Sequence, residues 1–479
     1  MKVLLEGTPR RDERRWLIGL TLVVACSWGR WLATGSLKVD ENYPSPLAGA
    51  LLFVVLLSGY GLLVTGWKGL LEHPPQRPRR LAYAGLGVAA CMLPMLSNDV
   101  FSLLAYGSRA AGGNDVYSTA TGLSQSVFSP WVGARWSQEV CVYGPTNLVF
   151  AMPAALTGNP WIAMVLLRAT WLVPLVLVME LSLRRLGDRP FFHAMVWLNP
   201  LWLLEGPGQL HADLLGLVAI TAGVLVQRRG GAKAGWACLS FAVLGKYSFV
   251  FTAFWFWLFG APTPRQRLLR IPAMAMMLVG MGALFYAPFW RGPATLIEPV
   301  RALAAMNPGG TLTEVVSQIV HVLRGGGIPR PDAPVREVME LERSTHASTW
   351  LVVSLVMRAV ALVVGVRVLR VMLRKSSDGD TIALGTGVLV VAVLTLASHR
   401  FQAWYLLAAL PFFGQCCTDV WRRWWIAVVA VSVSMDFVHV LPRTSLLLPV
   451  WAVVTTAALM VVFLMSFRAR YLHFAGDAR

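Results

Sequence analysis

Charge is scarce in this chain. Only 14% of its 479 residues are Asp, Glu, Lys or Arg, against 56% hydrophobic, whereas a soluble domain carries nearer a quarter charged. That shortage excludes an ordinary water-soluble globule. Acidic residues are scarcest, 24 against 42 Lys and Arg, which leaves a net charge of +18. The surplus does not mark a nucleic-acid binder. Its Lys and Arg residues sit in short clusters between apolar blocks and gather on no soluble face. Cysteine is sparse too: Cys26, Cys91, Cys238, Cys416 and Cys417 fall in or beside apolar blocks, and Cys141 alone lies in a polar stretch. No metal-ligand spacing appears among them, and small buried apolar side chains are the plain reading. Missing as well are a hydrolytic triad and a nucleotide-type Gly-rich phosphate loop, which argues against an ATP-driven pump. No internal repeat, low-complexity tract or separable soluble domain is visible. No small-residue cleavage site follows the first apolar block, so Lys2, Arg10, Arg11, Arg14 and Arg15 are expected to precede a retained helix.

What the chain does have is apolar blocks, recurring from Trp16 to Phe467. Each is long enough for a helix to cross a hydrocarbon core, which takes roughly 20 residues. Lipid cannot satisfy bare backbone groups, so helices are the expected form, and the blocks are too continuous for barrel strands. The expected fold is therefore all-α: a polytopic transmembrane helical bundle forming one integral membrane domain over 1–479. Crossings are expected at 16–35, 47–67, 81–97, 161–183, 191–204, 211–227, 271–290, 349–371, 381–398, 401–417, 423–440 and 446–467, with two short helices at 236–245 and 248–259 forming a hairpin. That makes about 12 to 14 helices. The basic residues then divide unevenly: 27 of the 42 fall on one side of the layout and 11 on the other. The basic side is the cytoplasmic one, which places both termini in the cytoplasm. Residues 144–157 are apolar, but a crossing there would turn Arg184, Arg185 and Arg189 outward. They are read as a helix that dips into the outer leaflet or lies on it. Two large outer segments remain, 98–160 and 291–348.

Asp99 stands at the outer end of the third expected crossing, at the depth of lipid headgroups. It could serve as a general base on an acceptor hydroxyl there, or be an ordinary hydrated helix end. Asp115, Tyr143, His211, Asp213, Lys246, His399 and Arg400 are expected at the same face, and ionisable groups near membrane depth are costly and often functional. Each has a plainer reading. Lys246 could snorkel from a hairpin turn. His399 and Arg400 could anchor a helix end, and His211 and Asp213 could satisfy each other at a helix start. Arg168 could pair with an internal acid or carbonyl, and Glu139 could simply be solvated.

The block Asn98-Asp99-Val100-Phe101-Ser102, Gly113-Asn114-Asp115-Val116-Tyr117 and Tyr143-Gly144-Pro145 resembles the first outer loop of the GT-C glycosyltransferases that use polyprenyl-phosphate sugars. The closest likeness is to the actinobacterial polyprenol-phosphomannose-dependent α-1,6-mannosyltransferases. Further along, Asn199-Pro200, then Gln209-Leu210-His211-Ala212-Asp213, the helix-Lys246-helix hairpin, and Gln402-Ala403-Trp404-Tyr405-Leu406-Leu407 through Pro411 are similar to later elements of that group. Asp115-Val116 stands where the family usually has Pro, and Ala212 departs from its Gly-x-His-Asn-Asp-like element. The resemblance, over roughly 95–415, implies a GT-C-like fold and transfer of a sugar, mannose by family likeness. The donor would be a polyprenyl-phosphate sugar and the acceptor a hydroxyl of a glycan or glycolipid, with membrane lipids as the other partners. It implies an extracytoplasmic site. No cofactor is expected and no metal is required in principle, although Asp99, Asp115 and Glu139 could hold one. Asp99 would be the catalytic base. Lys246, Arg400 and His399 would bind the donor phosphate. Asp115, Tyr117, Tyr143, His211, Asp213 and Gln402 would bind substrate. A secondary transporter or lipid-sugar flippase, and a non-catalytic membrane scaffold, are the competing readings.

Overall fold

The computed structural model describes residues 7–39, 43, 45–118, 123, 126–133, 139–185, 190–305, 335–375, 378–398, 402–415, 419–440, 454, 455, 458 and 461. Every regular element among them is helical, so the all-α expectation holds. Among the described residues six helices are long and apolar enough to cross a membrane: Arg11–Thr34, Pro46–Glu72, Pro160–Arg185, Pro264–Phe289, Val352–Arg374 and Gly379–Ala397. Their outer faces carry bare Leu268, Met276, Val279, Leu284, Leu355 and Leu362, side chains that water would penalise and hydrocarbon accepts.

Of the other expected crossings, 211–227 forms the continuous helix Asp213–Gln227, and four are interrupted or end in a 3-10 turn. The stretch expected at 81–97 is helical only to Ala90, and residues 91–98 run without regular structure. The stretch at 191–204 breaks into Pro190–Val196 and Pro200–Leu203, followed by a π-helical turn Leu204–Gly208. The one at 401–417 is built from a 3-10 turn Ala403–Ala408 and the short Leu410–Phe413. Asp419–Met435 ends in a 3-10 turn Asp436–Val440. The expected 446–467 helix lies outside the described residues apart from isolated positions. Proline explains the breaks at 200 and 207, since it lacks an N–H and clashes with the preceding turn.

A broken helix exposes carbonyls and N–H groups that hydrocarbon cannot satisfy, and side chains from other elements supply the partners. Trp16 Nε1 donates to the Leu198 carbonyl and Trp67 Nε1 to that of Ala194, both at 2.8 Å. These bonds pin the first two helices onto the broken segment. Arg168 donates to the carbonyls of Met92, Pro207 and Gly208, which settles its partner as carbonyls. Gln209 accepts from the N–H groups of Met95 and Leu96 at 2.9 Å each, so it ties the irregular 91–98 run to the π turn.

The expected hairpin is present as Ala232–Gly245, a turn at Lys246, then Tyr247–Thr252 and Ala253–Leu258. The apolar stretch at 144–157 forms an 11-residue helix, Pro145–Ala155, with Thr146, Asn147, Leu148 and Ala151 buried. One face packs against Asp99–Ala111, Pro160–Arg185 and Ala232–Gly245, and the other leaves Val149 and Pro153 exposed.

Candidate active site

Four elements meet around Asp99. Asp99 opens the helix Asp99–Ala111, where a carboxylate suits the positive end of the helix dipole. The approach to it is fixed on both sides: Asn98 Oδ1 accepts from the Val39 N–H at 2.8 Å, and the Asp99 N–H donates to Ser97 Oγ at 3.1 Å. Oδ2 of Asp99 lies 3.5 Å from His211 Nδ1, and the other ring nitrogen, Nε2, lies 3.3 Å from Glu205 Oε2. The imidazole stacks on Trp404 at 3.6 Å between ring centroids and 15° between planes. Two residues on, Asp213 starts the helix Asp213–Gln227, and its Oδ2 accepts from Lys246 Nζ at 2.7 Å. The same ammonium sits 3.8 Å from the centroid of the Tyr405 ring, a cation–π contact.

Accessibility divides this cluster. His211, Glu205 and Asp213 are buried, while Asp99 and Lys246 each keep 19% of their side chains exposed. A carboxylate and an ammonium thus form the open edge, and the buried groups stand behind them.

The loop that precedes Pro145–Ala155 is anchored to the tip of the hairpin. The Gly144 N–H and the Asn147 amide both donate to the Gly245 carbonyl at 2.9 Å. Any Cβ on residue 144 would collide with the Leu244 carbonyl. The Tyr143-Gly144-Pro145 run therefore fixes the backbone that carries Lys246. Tyr143 directs its hydroxyl toward the Asp99 carbonyl at 3.5 Å. Burial first, and then the nearby Asp99 charge, hold its phenol well above its ordinary pKa, so it remains a donor.

Other expected residues stand further off. Asp115 accepts from the N–H groups of Tyr117 and Ser118, an Asx-type turn. Tyr117 is buried, donates to the Tyr143 carbonyl at 3.0 Å, and packs on Tyr286 and Phe289. Gln402 leads into the turn that holds Trp404 and Tyr405, its carbonyl accepting from the Tyr405 N–H at 3.0 Å. His399 and Arg400 lie outside the described residues. The Glu139 carbonyl accepts from Tyr106 at 2.9 Å. Among the described residues no three His, Cys, Asp or Glu side chains are arranged to hold a metal ion.

Sequence reasoning missed Glu205 and Asp436, both buried. Asp436 interacts electrostatically with Glu205, His211 and Asp99. The signal was there: an acid inside a hydrophobic run costs several kcal/mol by order of magnitude unless something needs it.

A family model described as alpha-(1->6)-mannopyranosyltransferase, N-terminal domain, matches residues 16–261. Those residues include Asp99, Tyr143, Glu205, His211, Asp213 and Lys246. Alpha-(1->6)-mannopyranosyltransferase A of Mycobacterium tuberculosis (strain ATCC 25618 / H37Rv) is 24% identical over 205 residues, 40% of this chain and 40% of that protein. The chain thus matches less than half the length of that relative. No solved structure matches the chain.

Proposed function

Because the chain belongs to the MptA_B family, whose model covers just over half of it, we propose that it is a membrane mannosyltransferase that moves mannose from a polyprenyl-phosphate donor to a hydroxyl of a glycan or glycolipid. The curated relative's name supplies the sugar and the α-1,6 linkage as expectations. The observation that carries the reading is the open edge of the cluster, where the Asp99 carboxylate and the Lys246 ammonium flank one buried polar group.

The chemistry follows from those two charges. The donor phosphate rests against Lys246, which Asp213 and Tyr405 hold in place while further N–H donors stay free to turn outward. Arg400 and His399 belong to the same proposed phosphate site. The acceptor oxygen attacks the anomeric carbon as Asp99 takes its proton. The carbon–oxygen bond to phosphate breaks, its electron pair stays on the phosphate, and a β-linked donor gives an α-mannoside. The leaving group departs as an anion, so a fixed cation does the work an acid would otherwise do. Asp115, Tyr117, Tyr143 and Gln402 shape the acceptor side, the first three by holding the loop. The site faces the extracytoplasmic side, as the basic clusters on the opposite side support.

Broken helices and buried acids are also found in transporters, and one assay separates the readings. Purified protein in detergent receives synthetic polyprenyl-phosphate mannose and an α-mannoside acceptor. Transfer with release of polyprenyl phosphate is expected. Intact donor after prolonged incubation would remove the transferase reading.

A further inference from the structure

Glu205 has no task in the reaction above. It is completely buried, and neither of its carboxylate oxygens receives a directed hydrogen bond. It sits in the π-helical turn Leu204–Gly208, a geometry that is rare and collects at functional sites. Building on the transferase reading, we propose that Glu205 is a positioning residue that acts on Asp99 through His211, holding that ring as an imidazolium.

The geometry carries this in three ways. Both nitrogens of His211 face carboxylate oxygens, at 3.5 Å to Asp99 and 3.3 Å to Glu205. Neither contact is a directed hydrogen bond, so charge decides: a neutral ring would turn its lone pair on an anion, whereas the doubly protonated ring presents an N–H to each carboxylate. The ring cannot rotate away, because Trp404 stacks on it at 3.6 Å. Its backbone is held against local preference: Leu210 has φ +58°, the one non-glycine positive φ among the described residues, a strained conformation for a branched side chain. The His211 N–H closes back on the Glu205 carbonyl at 3.2 Å, and Gln209 binds the run that leads to Asp99.

The consequence lies at Asp99. A base beside an anionic donor phosphate is pressed to bind a proton before the acceptor arrives. An imidazolium behind it offsets that pressure and fixes which oxygen faces outward. Other groups acting electrostatically on the pair, among the described residues, are Asp213 with Lys246, Asp436, Tyr60 and Tyr143. Removing one partner of a buried ion pair is strongly destabilising when the other charge is stranded, but His211 is not stranded here, because Asp99 still faces its Nδ1 and the ring can release its second proton.

The test compares the full-length wild type with Glu205→Gln, which keeps shape and loses charge. The variant is expected to stay folded with a melting temperature only modestly lower, to keep its KM for the donor, and to lose kcat by up to about 100-fold. The alkaline limb of its pH profile should move to lower pH, because the ring gives up its second proton more easily. Nitrogen-15 histidine spectra, with the His211 signal identified by its loss in His211→Gln, should give an imidazolium near neutral pH in wild type and a neutral ring in Glu205→Gln. A neutral His211 in wild type, or a variant with unchanged kcat and profile, overturns the proposal. A wild type that transfers nothing overturns the transferase reading instead, while the spectra still decide the charge.

Discussion

At the scale of single residues, Asp99 and Lys246 differ in what their loss should do. Asp99 is partly exposed, and its amide counterpart can keep the contacts of a helix start, so Asp99→Asn is expected to fold normally and lose kcat by roughly 10²- to 10⁴-fold. Steady-state transfer with the synthetic donor checks this, and a normal rate would remove the catalytic assignment. Lys246 also neutralises buried Asp213 at 2.7 Å. Lys246→Met should therefore abolish transfer and also destabilise the fold, by about 3–5 kcal/mol for a buried acid left without its partner. Adding Asp213→Asn should restore the melting temperature and leave transfer absent; restored transfer would show that the cation is structural alone. The sequence made Asp99, His211, Asp213 and Lys246 legible because each is a polar side chain beside a long apolar block. Glu205 was hidden at the edge of an expected crossing that stopped at residue 204. Asp436 lay inside another, where hydropathy averages a single acid away. Nothing in a linear sequence says which two acids will face one imidazole from separate helices.

At the scale of elements, hydropathy located the apolar blocks and could not see their breaks. A crossing helix and a broken segment have the same apolar composition, and the difference lies in partners recruited from far along the chain. Trp16 and Trp67 cap carbonyls of 190–203, and Arg168 and Gln209 satisfy the 91–98 and 204–208 runs. Each such bond is worth about 0.5–1.5 kcal/mol net, and more is lost when its partner is left bare in an apolar setting. The hairpin was legible, since its two short apolar runs flank a lone Lys246. Its docking was not, because the Gly144 contact with Leu244 and Gly245 joins segments 100 residues apart. That contact has a sharp consequence. Gly144→Ala places a methyl group against backbone, which cannot swing aside as a side chain would. The Tyr143–Pro145 run and the hairpin tip must then separate, moving Lys246 away from Asp99. Transfer should fall by about 100-fold, since a shift of 1 Å is enough for that, while donor-independent melting drops only modestly. A Gly144→Ala enzyme with full activity would show that the hairpin tip does not set the geometry of the site.

At the scale of the whole molecule, the question is which side of the membrane the cluster faces. The asymmetry of charge is the argument: 27 of 42 Lys and Arg residues lie on one side of the expected layout, and short basic loops stay in the cytoplasm. The helices bear out the long crossings that frame this count, including Pro46–Glu72, Pro160–Arg185 and Pro264–Phe289. Arg265 and Arg267 at the start of the last, and Arg184 and Arg185 at the end of the second, then belong to one side, and Asn114 in the loop after Asp99–Ala111 to the other. The proposed lipid-linked donor would suit this arrangement, because its sugar is already activated and needs no nucleotide on the far side. Single cysteines at exposed Asn114 and exposed Arg265, in a chain whose six native cysteines are replaced, make the arrangement measurable in intact cells. Asn114→Cys should react with a membrane-impermeant maleimide added outside, and Arg265→Cys only after the membrane is opened. The reverse pattern would put Asp99 and Lys246 on the cytoplasmic side. The acceptor would then have to be a glycan that has not yet crossed the membrane, and the charge argument, for all its numerical weight, would have pointed the wrong way.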